Sequence, residues 1–305
     1  MVEVITIGEI LADFVPEPVK TASPSTGLKT NAHRLRPGGA PSNVAINLAR
    51  QGIKSAIIGK LGSDFLGDFL YEFLKKNKVD VSCVTRVKKY RTGLVFVFLG
   101  KNGERDFSFY GHPSADTFLS VSDVREDFIK KCSILHFGSI SMMAEKSGKA
   151  TMKAIKLAKK NKKLVSYDPN VRLNLWEGRR AQAKKTIKRY FKYADIIKIS
   201  DSELKFLFNA RAAKSTLDGI FGRDRLVFVS TGPKGCYVKL GRVFKHEKGL
   251  KVRAVDTTGA GDAFTAGVLS GIIKNKGKIT YNNLVNLAKT ANKMGAKAVM
   301  RRGAM

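Results

Sequence analysis

Near the C-terminal end the chain reads DTTGAGDAF, from Asp256 to Phe264. The stretch sets a carboxylate, Asp262, directly behind nearly bare backbone. Gly259, Ala260 and Gly261 leave the peptide groups accessible, and the glycines leave them conformationally free. Phe264, Val268, Leu269, Ile272 and Ile273 then recur at helical spacing, so a helix begins here. A helix start offers unpaired N–H groups and the positive end of the dipole, a ready site for phosphate. A carboxylate beside phosphate is out of place for binding alone. It makes sense if it accepts a proton from a hydroxyl that attacks the phosphate. Phosphoryl transfer asks for little more than positioning, charge stabilisation and an aimed nucleophile. Taken alone, the stretch reads equally well as an acidic helix cap after a glycine turn.

The elements around it are those of an α/β protein. Residues 2–8 (VEVITIG) and 55–59 (SAIIG) read as short strands. Residues 41–52 open with Pro41 and close with Gly52, the expected punctuation of a helix. A helix over 64–77 places Phe65, Leu66, Phe69, Leu70, Phe73 and Leu74 on one face. Further strands are expected at 133–138, 164–168, 195–200 and 225–231, and helices near 147–160, 177–192, 201–208, 261–275 and 281–295. Repeated β–α units argue for a doubly wound, mostly parallel sheet with helices on both faces. Residues 92–110 break the rhythm with two β runs around Gly100-Lys-Asn-Gly103, a hairpin signal. An antiparallel hairpin in a β–α series reads as a projecting flap, with Phe107, Phe109 and Tyr110 as an aromatic lining.

The 305 residues carry 56 Lys and Arg against 25 Asp and Glu, a formal charge of +31. Such a balance raises the question of nucleic acid or another polyanion. The lysines are spread over several helix ends and wet faces, however, which reads as a solvated basic surface that attracts phosphate-bearing substrates. No specific nucleic-acid partner is expected. No apolar run approaches the roughly 18 residues of a membrane span. The N-terminus lacks a basic n-region and a cleavage site. Cys83, Cys132 and Cys236 stand far apart with no CxxC pair, as expected of inert thiols in a reducing cytoplasm.

Four stretches together resemble the ribokinase-like (PfkB) carbohydrate kinases. DTTGAGDAFTAG is similar to the family's C-terminal signature, and RPGGAPSNVAINLARQG (36–52) to its N-terminal one. VSTGPKG (229–235) resembles the nucleotide-site turn, and SYDPNVRLNLW (166–176) the D-x-N-x-R stretch of the fructokinase and keto-deoxygluconate kinase branches. They occur in family order across the chain. The resemblance implies one ribokinase-like domain over 1–305, with a small β lid built from about 10–36 and 90–113.

It also implies roles. Asp262 would be the general base, with Gly259, Ala260 and Gly261 as the anion hole. Asp13, Gly38, Gly39 and Asn43 would bond the sugar hydroxyls, with Phe96, Tyr110 and Arg172 also on the substrate side. Arg172 equally suits ATP phosphates, since its fixed fork matches them. Lys198, Thr231, Gly232, Gly235 and Asn292 would hold the nucleotide. Asp256 and Thr258 match positions that hold a monovalent cation, K+, in some members. Where many relatives have Asn-x-x-Glu, this chain has SDSE, with Ser200 for Asn and Glu203 retained as an influence on Mg2+ through water. ATP and Mg2+ are the expected cofactors; a homodimer is left open.

RDFSFYGHPSAD (105–116) is similar to the fructokinase lid, but Gly111 and His112 replace the usual arginine stretch. The missing arginine weakens the case for an acidic sugar, whose carboxylate wants a nearby cation. D-fructose going to fructose 6-phosphate is the favoured substrate, with 2-keto-3-deoxygluconate next and ribosides open. A basic polyanion-binding protein without catalysis is the alternative class. Asp262 and its glycines argue against it, because such a protein needs no base there.

Overall fold

The computed structural model describes residues 2–17, 32–99, 105–110, 113–176, 178–301 and 303. The chain starts with β1 (Val4–Ile7), β2 (Leu11–Glu17), β3 (Ala32–Gly38), α1 (Ala40–Arg50), β4 (Ser55–Gly62) and α2 (Phe65–Lys76). β5 (Asp80–Val87), β6 (Leu94–Leu99), β7 (Arg105–Tyr110), α3 (Glu126–Ile129), β8 (Ile134–Phe137) and α4 (Glu145–Lys160) follow. Next come β9 (Leu164–Tyr167), α5 (Arg180–Lys188), β10 (Ile196–Ser200), α6 (Asp201–Phe208), α7 (Lys214–Phe221) and β11 (Leu226–Ser230). The last elements are β12 (Gly235–Leu240), β13 (Val243–Lys248), α8 (Ala260–Lys274) and α9 (Leu284–Val299).

Every residue of β1 is buried, as a strand covered on both faces requires. It sits inside a nine-stranded sheet of order β13-β12-β11-β10-β9-β8-β1-β4-β5. All neighbours from β5 to β11 are parallel, and β12 and β13 add an antiparallel edge. Alternate residues feed opposite faces. Ile5 and Ile7 join a core with α4, α5, α6 and α7, while Val4 joins one with α1, α8 and α9. The chain builds outward from β1 in one direction through β4 and β5, then returns to β8 and builds in the other. That reversal opens a crevice at the carboxyl ends of β1 and β8, where open α/β sheets bind ligands.

A second sheet of four strands, β3-β2-β6-β7, stands at that end. β2 runs parallel to β6, with Asp13 opposite Val95, and the other pairs are antiparallel. The expected hairpin is therefore present as β6 and β7, although its turn, Gly100–Gly103, lies outside the described residues. So do 18–31 of the first expected lid segment, and Gly111 and His112.

Two differences have simple causes. Phe65, expected on the buried face of α2, is 77% exposed, because it occupies the first position of the helix, beyond the reach of the sheet. Strands β5, β12 and β13 and helix α7 were not anticipated; β5 and β13 interleave polar and charged residues with their apolar ones, which blurs both periodicities.

Candidate active site

At the start of α8, Gly259 takes φ 74° and ψ 0°, a left-handed conformation that glycine adopts without strain. Ala263 N–H makes the bond to Gly259 O at 2.9 Å, so the N–H groups of Gly261 and Asp262 precede the helical ladder. These residues border a cavity of about 560 Å³. Asp262 is only 7% exposed, and its Oδ2 accepts a hydrogen bond from Asn43 Nδ2 at 2.8 Å. Asn43 lies in the first turn of α1, so two helix starts meet at the Asp262 carboxylate. Burial pushes the Asp262 carboxyl up to about 6; Asn43 opposes the rise, Asp168 adds to it, and Arg172 and Lys198 oppose it.

The opposite wall comes from the carboxyl ends of β9 and β10. Lys198, on β10, is buried and pairs with Asp168 Oδ2 at 3.0 Å. Burial alone would lower its proton affinity, but Asp168 and Glu203 hold the ammonium above its ordinary value. It leans over the glycine turn: a Cβ on Gly261 would sit 3.1 Å from Lys198 Nζ. Asp168 is fixed in turn by Thr265 Oγ1 at 2.9 Å. After Pro169, Asn170 adopts φ 41°, and its N–H bonds Asp168 Oδ1 at 3.2 Å. Glu203 completes the turn, its Oε1 accepting Val171 N–H at 2.7 Å and its Oε2 accepting Ser200 N–H and Oγ, both at 2.8 Å. Ser200 thus caps α6 in a reciprocal box with Glu203, and the braced turn places Arg172 on the cavity wall.

The third wall is the small sheet. Asp13, Val95 and Phe109 share one face by register and border the cavity. Gly38 is tight against Asp13, since a Cβ there would fall 2.3 Å from the carboxyl atoms. Gly39 carries φ 91° ahead of α1. Phe96 and Tyr110, expected on the substrate side, do not border this cavity. Strand alternation turns them to the other face, where their rings meet edge to face at 5.2 Å and Tyr110 is 61% exposed. Phe107 has no described side chain.

The expected nucleotide residues form a neighbouring group. Thr231 N–H and Oγ1 both bond Gly235 O, at 2.8 and 2.9 Å. Gly235, at φ 102°, lies where a Cβ would collide with Glu247 O. Thr231 follows Ser230, the register partner of Ser200 on the cavity wall. Asn292 is spent as a brace: its Nδ2 donates to Glu247 O and Lys248 O at 3.2 and 3.1 Å. Asp256 accepts Thr258 N–H and Gly303 N–H, both at 2.7 Å, and Thr258 Oγ1 is buried without a hydrogen-bond partner among the described residues.

Sequence reasoning passed over Asp168, Thr265, Val95 and Glu9. Asp168 stands in the D-x-N-x-R stretch, but its pairing with Lys198 is made by the fold and leaves no mark in the sequence. Glu9 carried a plainer signal, a carboxylate between Gly8 and Ile10 just past a fully buried strand.

An acid that ionises near neutrality, next to an anion-binding helix start and a captive ammonium, can take a proton from a hydroxyl as that oxygen attacks phosphorus. The fold and site are those of a phosphotransferase acting on small hydroxylated molecules. The chain belongs to the pfkB family of carbohydrate kinases, which it matches over residues 1–305. It is 41% identical to probable fructokinase-5 of Arabidopsis thaliana, over 99% of this chain and 93% of that protein. Among solved structures it resembles Vibrio cholerae O395 fructokinase with fructose, ADP and calcium bound. That likeness has a TM-score of 0.88 and 32% identity over 100% of this chain and 95% of that one. A double mutant of the same enzyme, solved with fructose, ADP and a potassium ion, gives a TM-score of 0.87 and 31% identity over 100% and 94%. No helix among the described residues is long and apolar enough to cross a membrane.

Proposed function

We propose that this protein is a fructokinase: it transfers the γ-phosphoryl group of ATP to the 6-hydroxyl of D-fructose. The observation that carries the reading is Asp262, a buried carboxylate bonded to Asn43 and raised to about 6 at the start of α8. Ionised at neutral pH, it accepts the proton of the attacking hydroxyl. Gly259 and Gly261 border the cavity and their N–H groups face the charge that develops on the migrating phosphoryl group, while Ala260, whose N–H bonds Thr257 O at 3.3 Å, shapes the turn; Lys198 adds a cation on the same side. Arg172 contributes a second cation that reaches phosphate oxygens as a fork.

Fructose is held against the small sheet. Asp13 accepts hydroxyl hydrogen bonds, Gly38 makes room for that carboxylate, and Gly39 borders the space for the ring. Asn43 Oδ1, buried with no hydrogen-bond partner among the described residues, is left to accept one more. Val95 and Phe109 cover an apolar edge of the sugar. The small sheet acts as the lid of one domain spanning 1–305, shutting water out of the cavity. Thr231, Gly232 and Gly235 form the floor for the nucleotide, with Asn292 bracing it. Glu203 influences Mg2+ through water, and the ion neutralises phosphate charge when bound. Thr258 and Asp256 fit a monovalent cation, K+, because the Thr258 hydroxyl lacks a partner that such an ion would provide. A cytoplasmic location fits the three buried free cysteines.

A coupled ADP-release assay over D-fructose, 2-keto-3-deoxygluconate, ribosides and other hexoses tests the reading. The largest kcat/KM is expected for fructose. A larger value for the acidic sugar would reassign the substrate, and no sugar-dependent ADP release at all would reject the kinase.

A further inference from the structure

Helix α1 lacks the side chain that usually closes a helix start. Its N-cap is Gly39, and no side chain at that position bonds the first turn. The acceptor comes instead from just beyond β1, thirty-one residues away in sequence: Glu9 Oε1 accepts Ala40 N–H at 3.1 Å. The approach is close, since a Cβ on Gly39 would lie 2.5 Å from Glu9 O. Glu9 is 1% exposed and borders the active-site cavity, and its Oε2 is buried with no hydrogen-bond partner among the described residues. Burying a carboxyl with an unsatisfied oxygen is costly, so its place at the cavity calls for a use.

We propose that Glu9 is a positioning residue of this active site: it caps α1 through Ala40, fixes the turn that carries Asn43, and through Asn43 aligns Asp262. The inference rests on the reading of Asp262 as the general base. The connection is short. Asn43 N–H bonds Gly39 O at 2.9 Å within the capped turn, and Asn43 Nδ2 bonds Asp262 Oδ2 at 2.8 Å. A shift of the turn moves the base directly, and a displacement of about 1 Å at a reacting group can cost on the order of 10² in rate.

The charge state of Glu9 gives the role its own signature. Burial pushes its carboxyl up to about 8; the Ala40 hydrogen bond opposes this, and Asp116 and Asp262 reinforce it. Asp13, Arg172, Lys198 and Glu203 face the same cavity from β2, the turn after β9, β10 and α6. At neutral pH the neutral acid still accepts Ala40 N–H through its carbonyl oxygen. When Glu9 ionises, a further negative charge enters the cavity and opposes the approach of a polyphosphate. The fructose-dependent kcat/KM of the wild type then declines above about pH 8.

The test compares wild type, Glu9→Ala and Glu9→Gln in kcat, both KM values and pH profile, together with Tm from pH 5 to 9. The alanine variant is expected to lose about tenfold in kcat with the ATP KM little changed. Glutamine keeps an acceptor for Ala40 and a hydrogen-bond donor in place of the acid proton, so it restores most of the rate, and the alkaline decline disappears. Equal losses in both variants, or none in either, overturns the proposal, as does an alkaline decline that survives in Glu9→Gln. Thermal unfolding reports independently of turnover. An acid whose folded value is raised stabilises fully below its ordinary 4.5 and loses that contribution as pH rises through about 8. Wild-type Tm should therefore fall relative to Glu9→Gln between pH 5 and 8. If the wild type releases no ADP with any sugar, the kinase reading has failed, while a Tm gap that does not change with pH counts against Glu9 alone.

Discussion

Asn43 Nδ2 donates to Asp262 Oδ2 at 2.8 Å, joining residues 219 positions apart in the chain. This bond ties the N-terminal signature to the C-terminal one, and it favours the ionised carboxylate. Asp262 sits at about 6 as the balance of burial against this hydrogen bond and two nearby cations. Activity that needs the carboxylate should fall below about pH 6, with kcat/KM dropping tenfold per unit at the acid end. Asn43→Ala removes a partner of the charged form, so the acid limb should move to higher pH. A limb that stays in place, measured in kcat/KM from pH 4.5 to 8, would mean that Asp262 does not govern the profile.

The pair Lys198–Asp168 makes a second prediction. Lys198 keeps its charge because Asp168 outweighs the effect of burial. Asp168→Ala leaves a buried ammonium without its partner, which typically costs about 3–5 kcal/mol. Lys198→Met keeps the stem and leaves the Asp168 carboxylate bonded by Thr265 Oγ1 and Asn170 N–H, so it should destabilise less while cutting kcat by about 10². Chemical unfolding and turnover of the two variants should therefore rank oppositely. The same ranking in both measurements would argue that the lysine serves the fold alone.

Phe109 and Phe96 test which face of the small sheet meets the sugar. Phe109 borders the cavity and Phe96 does not. Phe109→Ala should raise the fructose KM about tenfold, as expected for roughly 1.4 kcal/mol of lost apolar contact, and should leave the ATP KM alone. It should also raise ATP hydrolysis without sugar, since the cavity closes less well. Phe96→Ala should do neither. If Phe96→Ala shifts the fructose KM more, the register argument fails.

These positions also show what was legible before the structure. The central strands β1, β4 and β8 to β11, most of the helices around them and the position of Asp262 followed from periodicity and from one glycine-rich turn, because each is a local pattern, whereas the edge strands β5, β12 and β13 did not. The partners of Asp262 did not. Lys198 lies on β10 and Asp168 directly after β9, and only the parallel register of β9 and β10 brings them together. Glu9 and Ala40 meet across the crossing from β1 to α1, a contact that no spacing rule describes. The face of β6 was ambiguous for another reason: LVFVFL is apolar at every position, so alternation gave no clue that Val95 rather than Phe96 turns inward.

Thr258 and Asp256 predict a salt effect. The unpartnered Thr258 hydroxyl beside a doubly bonded Asp256 suits a weakly hydrated cation. Turnover should be higher in KCl than in NaCl at equal ionic strength, and Thr258→Val should remove the difference. Equal rates of the wild type in both salts would leave Asp256 as the residue that pins Thr258 and Gly303, with no ion involved.

The decisive variant is Asp262→Asn. It keeps the shape and a carbonyl oxygen for Asn43, and it removes the base. Loss of a general base typically costs about 10²–10⁴ in rate. The ATP KM should hold or fall, because backbone N–H groups and cations bind the phosphates and a facing negative charge has gone. Stability gives a check of opposite sign. A carboxyl raised to about 6 by burial favours its neutral form in the fold, so its contribution is full below its ordinary 3.8 and lost as pH rises through about 6. At pH 7 the neutral amide should therefore match or exceed wild-type Tm while turnover collapses. If Asp262 were only a helix cap, asparagine, itself a good cap, would keep both rate and stability within tenths of a kcal/mol. Turnover near wild type in the folded asparagine variant would remove Asp262 from the mechanism.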